Sequence, residues 1–77
     1  MKAYVLIKTH TGEILNVVHK LRQIEAVVDA DLTFGPYDAV AIVETNDVGH
    51  LSRLLATDIQ SIPGVVETLT CIAGETE

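Results

Sequence analysis

Hydrophobic residues recur along this chain in two rhythms, one of period two and one close to 3.6. Between Lys2 and Lys8, Ala3, Val5 and Ile7 alternate with Tyr4 and Leu6, which predicts a strand. Thr11-Gly12-Glu13 follows, with Thr11 as the expected N-cap and Glu13 in the first turn to meet the helix dipole. Ile14, Val17, Val18 and Leu21 then stand at i, i+3, i+4 and i+7, so a helix should run to about Arg22 or Gln23. From Ile24 to Phe34 the period returns to two. Ala26, Val28, Ala30, Leu32 and Phe34 alternate with Val27, Asp29, Asp31 and Thr33, which predicts a second strand with one mainly apolar face. Gly35-Pro36 reads as a turn. Tyr37 to Glu44 is a third strand, with Ala39, Ala41 and Val43 on one face and Val40 and Ile42 on the other. Asn46 is the expected cap of a second helix, with Asp47 in its first turn and a stripe of Val48, Leu51, Leu54, Leu55 and Ile59. Ile62-Pro63-Gly64 stops that helix. Val65 to Ala73 is the last strand, and residues 74–77 form a frayed polar tail.

The order βαββαβ is the ferredoxin-like, split-βαβ pattern of an α+β domain: a four-stranded antiparallel sheet with two helices on one face and right-handed crossovers. Two helices cover one sheet face only, so a monomer should be polar on the other. Here the first and third strands are apolar on both faces. A second cover is therefore expected, and the simplest is a symmetric copy packed sheet on sheet. The buried set is either Tyr4, Leu6, Val40 and Ile42 or its opposite, since a one-residue change of phase exchanges them.

Composition agrees with this. The chain has 77 residues, 48% of them hydrophobic, which fits one domain and excludes intrinsic disorder. A chain of this size buries roughly 60% of its unfolded surface, so a partner subunit would complete its stability. Five Lys and Arg against eleven Asp and Glu give a net charge of −6, which argues against direct nucleic-acid binding and against docking on an anionic membrane. The first apolar run is only five residues long and is neither a signal peptide nor a membrane span. The single cysteine, Cys71, offers no internal disulfide, and a cytoplasmic setting is expected.

Enzyme signatures are lacking. His10, His19 and His50 fall on different elements and form no metal-ligand spacing, so neither a metal nor a cofactor is expected. Cys71 reads as a buried small hydrophobe, and Asp29 and Asp31 as charges sharing one strand face. The informative segment is Thr33 to Asp38. Gly35 permits a backbone conformation closed to other residues, and Asp38 stands at the start of a strand. Such a turn can hold a zwitterion, the carboxylate meeting an ammonium and free amides meeting a carboxylate. The turn chemistry alone favours the plainer reading, a hairpin turn whose Asp38 caps its own backbone.

Three ordered segments carry a resemblance. Val27-Val28-Asp29-Ala30, then Gly35-Pro36-Tyr37-Asp38-Ala39-Val40, then Ile62-Pro63-Gly64-Val65 with Thr68 and Thr70, resemble the effector-binding domain of the Lrp/AsnC family, also called the regulation-of-amino-acid-metabolism domain. The resemblance covers essentially the whole chain. It implies a homodimer through facing sheets, assembly of dimers into a ring, and an amino-acid effector near the Gly-x-Tyr-Asp turn. On that basis the expected ligand-binding residues are Gly35, Pro36, Tyr37 and Asp38, with Thr68 and Thr70 of the last strand as lining residues. Pro36 departs from the usual polar residue and removes one backbone donor. Family members typically carry an N-terminal helix-turn-helix domain. With a strand starting at residue 2 and net charge −6, a stand-alone module is expected, acting on transcription through partner proteins. The rival readings are an ACT-type amino-acid-binding module, which often pairs edge to edge, and a small oligomeric enzyme of the same fold, which would need acid–base groups lining a pocket.

Overall fold

The computed structural model describes residues 1–74; of the tail expected at 74–77, residues 75–77 lie outside them. Strand β1 (Lys2–Thr9), helix α1 (Ile14–Leu21), β2 (Val27–Leu32), β3 (Ala39–Glu44), α2 (Val48–Arg53), a π-helical segment (Leu54–Ile59) and β4 (Val65–Ile72) follow in that order. The strands form one antiparallel sheet in the spatial order β2-β3-β1-β4. This is the expected ferredoxin-like α+β arrangement, with the two strands that are apolar on both faces at its centre.

The phase of those strands is settled. Ala3, Val5 and Ile7 of β1 and Ala39, Ala41 and Val43 of β3 are fully buried against Val17, Val18 and Leu21 of α1, Leu51 of α2, and Leu54 and Ile59 of the π-helical segment. Tyr4, Leu6, Val40 and Ile42 therefore lie on the face without helices. Alanine at 3, 39 and 41 leaves room for the helices to approach the sheet closely, while branched side chains on the helices fill the space.

Several local expectations are corrected. Thr11 does not cap α1. Gly12 turns the chain in a left-handed conformation (φ 88°), Glu13 N–H donates to the His10 carbonyl at 3.0 Å, and Glu13 occupies the cap position without a side-chain bond. Asn46 does not cap α2 either. Asp47 has the extended backbone of an N-cap, and its carboxylate accepts the His50 N–H at 2.8 Å. The His50 Nδ1 in turn accepts the Asn46 N–H at 3.1 Å. Aspartate and histidine thus satisfy reciprocal backbone donors, much as serine and glutamate do in a capping box.

The second strand is shorter than its alternation suggested. A bulge between Val27 and Asp29 breaks the period, turns Val28 into solvent, and leaves Phe34 outside the strand. β3 likewise begins at Ala39 rather than Tyr37, and β4 ends at Ile72. Beyond Arg53 the helix widens, with Gln60 N–H donating to the Leu55 carbonyl five residues back. Ile59 is buried, as its place in the expected stripe requires, and Asp58 is exposed. Val48, expected in the apolar stripe, is exposed.

The sheet's outer edge at β2 is partly covered. The Arg22 side chain, at the end of α1, donates through Nε to the Ala30 carbonyl at 3.0 Å and lies 3.6 Å from the Asp31 carboxylate. That exposed ion pair adds little stability, but the guanidinium occupies an edge acceptor that another strand would use.

Two glycines separate backbone strain from crowding. Gly12 (φ 88°) would place an added Cβ in open space, whereas at Gly64 (φ 102°) it would fall 2.8 Å from the Glu13 Cβ. Gly12→Ala should cost about 1–2 kcal/mol from the left-handed backbone alone, and Gly64→Ala distinctly more. Urea midpoints measure the difference, and equal midpoints would show that Glu13 moves aside freely.

Candidate functional site

The β2–β3 loop, Thr33 to Asp38, is closed by its own hydrogen bonds. Thr33 N–H donates to the Asp38 carbonyl at 2.9 Å, and the Thr33 hydroxyl to the Tyr37 carbonyl at 2.7 Å. Asp38 then joins the loop to β1. Its N–H donates to the Ile7 carbonyl at 2.9 Å, and its Oδ2 accepts the Thr9 N–H at 2.8 Å and the Thr9 hydroxyl at 3.3 Å. The carboxylate therefore caps a neighbouring strand, not its own turn. Asp38 and Tyr37 are half-buried, whereas Gly35 and Pro36 are exposed. Gly35 does not use its conformational freedom, because its φ is not positive, and a Cβ there would meet nothing within 4 Å. Its small size leaves the loop backbone open to approach from outside.

Thr68 and Thr70 are both half-buried on β4, opposite Ile7 and Val5 of β1, and so share the helix-bearing face. The Thr68 hydroxyl accepts the Gln60 side-chain amide at 3.1 Å. The chain does not bring these threonines to the loop. β1 stands between, as in the cross-sheet row Ala39–Ile7–Thr68, which spans two strand spacings or about 10 Å.

The face without helices has its own order. Two rows cross it, Asp29–Ile42–Tyr4–Cys71 and Asp31–Val40–Leu6–Leu69, running from the β2 edge to the β4 edge. Each row is apolar across β3 and β1 and acidic at β2. Cys71, expected to be buried, is exposed here.

Sequence reasoning missed an open cleft of about 350 Å³ at the far end of β3. It is lined by Ile24, Glu25, Ala26, Glu44, His50, Leu54 and Asp58. Asp58, in the π-helical segment, stands on its rim. Of the other histidines, His10 is exposed and His19 contacts the Gln23 amide at 3.1 Å. Among the described residues, no group of three His, Cys, Asp or Glu is placed to hold a metal, and no helix is long and apolar enough to cross a membrane.

These features define the class: a small ferredoxin-like α+β domain with one sheet face free and a carboxylate-bearing loop at one end. Residues 2–76 match the family model described as the Lrp/AsnC ligand binding domain, and the chain belongs to that family. It is 36% identical over 76 residues to the HTH-type transcriptional regulator FL11 of Pyrococcus abyssi, covering 99% of this chain and 50% of that protein. The chain therefore spans about half the length of the curated relatives it matches, and those relatives are transcriptional regulators. Among solved structures, TTHA0845 from Thermus thermophilus is 29% identical with a TM-score of 0.92, over 99% of this chain and 95% of that one. A transcriptional regulator of Neisseria meningitidis, NMB0573, solved as a complex with L-Met, shares the fold at 13% identity and a TM-score of 0.87, over 96% of this chain and 49% of that one.

The cap on β1 can be tested directly. Asp38→Ala leaves the Thr9 N–H without its partner and should cost about 1–3 kcal/mol. Asp38→Asn keeps an acceptor in place and should cost less. Chemical denaturation of the two variants beside the wild type reads the order, and an Ala variant as stable as the wild type would refute the capping role.

Proposed function

We propose that this chain is an amino-acid-binding regulatory module that works as a homo-oligomer in the cytoplasm and modulates transcription through partner proteins. The observation that carries this reading is family membership across the whole fold, residues 2–76. The ligand site is Gly35, Pro36, Tyr37 and Asp38, completed by Thr68 and Thr70 of a neighbouring copy, since β1 separates the two groups within one chain. Asp38 has the chemistry for an ammonium: Oδ2 is engaged by Thr9, and the carboxylate keeps a second oxygen with further lone pairs. The bound L-Met of the Neisseria meningitidis regulator, a protein of the same fold, supports an amino acid as ligand.

The homodimer packs its sheets face to face. Tyr4, Leu6, Val40 and Ile42 form the centre of that contact, and Asp29 and Asp31 fall on its polar rim at the β2 edge. Cys71 and Leu69 on β4 extend the apolar area. The enzyme reading is weaker, because the positions between sheet and helices are Ala, Val, Ile and Leu rather than acid–base groups.

A thermal-shift screen of the twenty amino acids tests the ligand, since binding to the folded state raises the apparent melting temperature. Calorimetric titration of Asp38→Asn with the stabilising amino acid should show affinity lowered about 10- to 100-fold, the usual size for a hydrogen bond to a charged group. Unchanged affinity removes Asp38 from the site, and no stabilisation by any amino acid at millimolar concentration removes the sensor reading.

The dimer is tested separately. Val40→Lys should leave the fold intact, because Val40 lies on the free face, and should convert the protein to a monomer by sedimentation. A wild type that sediments as a monomer at micromolar concentration ends the facing-sheet model.

A further inference from the structure

The cleft at the far end of β3 opens onto the outer surface of the core. Ile24 and Ala26, from the connection between α1 and β2, pack against the core yet stay half-buried, and Leu54 completes an aliphatic wall. Backbone hydrogen bonds brace that wall. Ile24 N–H donates to the Leu21 carbonyl at 3.1 Å, Val27 N–H to the Ile24 carbonyl at 3.0 Å, and Glu44 N–H to the Ala26 carbonyl at 2.9 Å. His50 is held at the cleft by its Nδ1, which accepts the Asn46 N–H. The cleft is thus formed before anything enters it. Its volume of about 350 Å³ falls in the range of roughly 300–1,000 Å³ typical of small-ligand sites.

Its charge is of one sign, since Glu25, Glu44 and Asp58 line it and no Lys or Arg does. Glu44 stands opposite Lys2 in the β1–β3 register and shares that cation. Glu25 and Asp58, on separate segments, have no basic partner within ion-pair distance among the described residues. They are the acids left to a ligand. The charge is not gathered for a metal, because no group of three His, Cys, Asp or Glu among the described residues is placed to hold one. A zwitterion would bring its own carboxylate into a site without a cation. The complementary molecule carries positive charges set apart on an aliphatic body.

We propose that this cleft binds an aliphatic diamine or polyamine, whose methylenes lie on Ile24, Ala26 and Leu54 and whose ammonium groups meet Glu25 and Asp58. The methylenes take the aliphatic wall out of water. Each ammonium has three donors, so it can serve a carboxylate of the rim and still be hydrated. The ligand bridges the α1–β2 connection and the π-helical segment, which flank the cleft from two sides. The six residues of β3 set this site about 20 Å from the β2–β3 loop. It takes a cation, whereas the loop is proposed to take a zwitterion, and it does not require a bound amino acid.

The probes are spermidine and putrescine, with magnesium chloride as a control for charge alone. Calorimetric titration of the wild type with either amine should saturate at one site per chain, and spermidine should bind more tightly than magnesium. Glu25→Gln combined with Asp58→Asn should weaken spermidine about five- to tenfold, the combined size of two exposed ion pairs. Asp31→Asn combined with Glu67→Gln removes the same charge from exposed positions outside the cleft and should leave the affinity within twofold. Ala26→Leu fills the aliphatic wall without touching a charge and should abolish binding while keeping the wild-type circular dichroism. If that variant unfolds, the two charge pairs decide by themselves. No saturable binding at millimolar spermidine overturns the proposal. So does a control pair that weakens spermidine as much as the cleft pair, or magnesium that binds as tightly and is lost in the same cleft variant. Each of these results leaves amino-acid binding, read by thermal shift, untouched.

Discussion

Two helices cover one face of a four-stranded sheet, and the two central strands of this sheet are apolar on both. Most of the molecule's behaviour follows from that mismatch. On the helix side it yields a dry core in which alanines at 3, 39 and 41 meet branched side chains from the helices. On the other side it leaves Tyr4, Leu6, Val40 and Ile42 with no cover from their own chain. A domain of 77 residues has little stability in reserve. A second sheet laid on this face would extend the core to both sides at once. The acidic residues of β2 border the apolar area rather than interrupt it, so charge does not oppose the contact at its centre.

The end of the sheet where β1 and β3 meet the β2–β3 loop is held together by one side chain. Asp38 fastens the loop to the end of β1 through Thr9. That bond also orients the carboxylate, so its direction is fixed by the fold. A carboxylate held this way has little freedom left to lose, which is what preorganisation means for any group it meets. The threonines of β4 are separated from it by a whole strand, so one chain does not bring the two groups together.

Much of this was legible in the residues. The alternation in β1 and β3 predicted both strands and the two-sided sheet, because a period of two survives any choice of phase. The phase itself was not legible, since it depends on which face the helices select. The caps were misplaced by one or two residues: Thr11, Asn46 and Asp47 are all chemically able to cap, and only the backbone decides among them. In β2 the alternation of Val28 with its neighbours was real in sequence, but the bulge before Asp29 removed its meaning. Asp38 was recognised as the carboxylate of the loop, though its bond to Thr9 joins residues 29 apart, a distance that no local pattern reports. Phe34 and the cleft escaped notice for opposite reasons. Alternation pointed Phe34 into a strand that ends before it, and the cleft is built from three segments with no shared motif.

The π-helical turn after Arg53 behaves as a single residue inserted into a helix. Leu54 and Ile59 are five positions apart yet both reach the core, and Asp58 is displaced onto the rim of the cleft. Loss of one codon between those two residues would restore an ordinary α-helical spacing of three and four for Leu51, Leu54 and Ile59. The core would persist, while the wall of the cleft would acquire a different set of side chains. This segment is thus a place where a one-residue insertion or deletion can rewrite one surface of the domain and spare its interior. Lineages of such domains could diverge there by changes in length rather than by substitution.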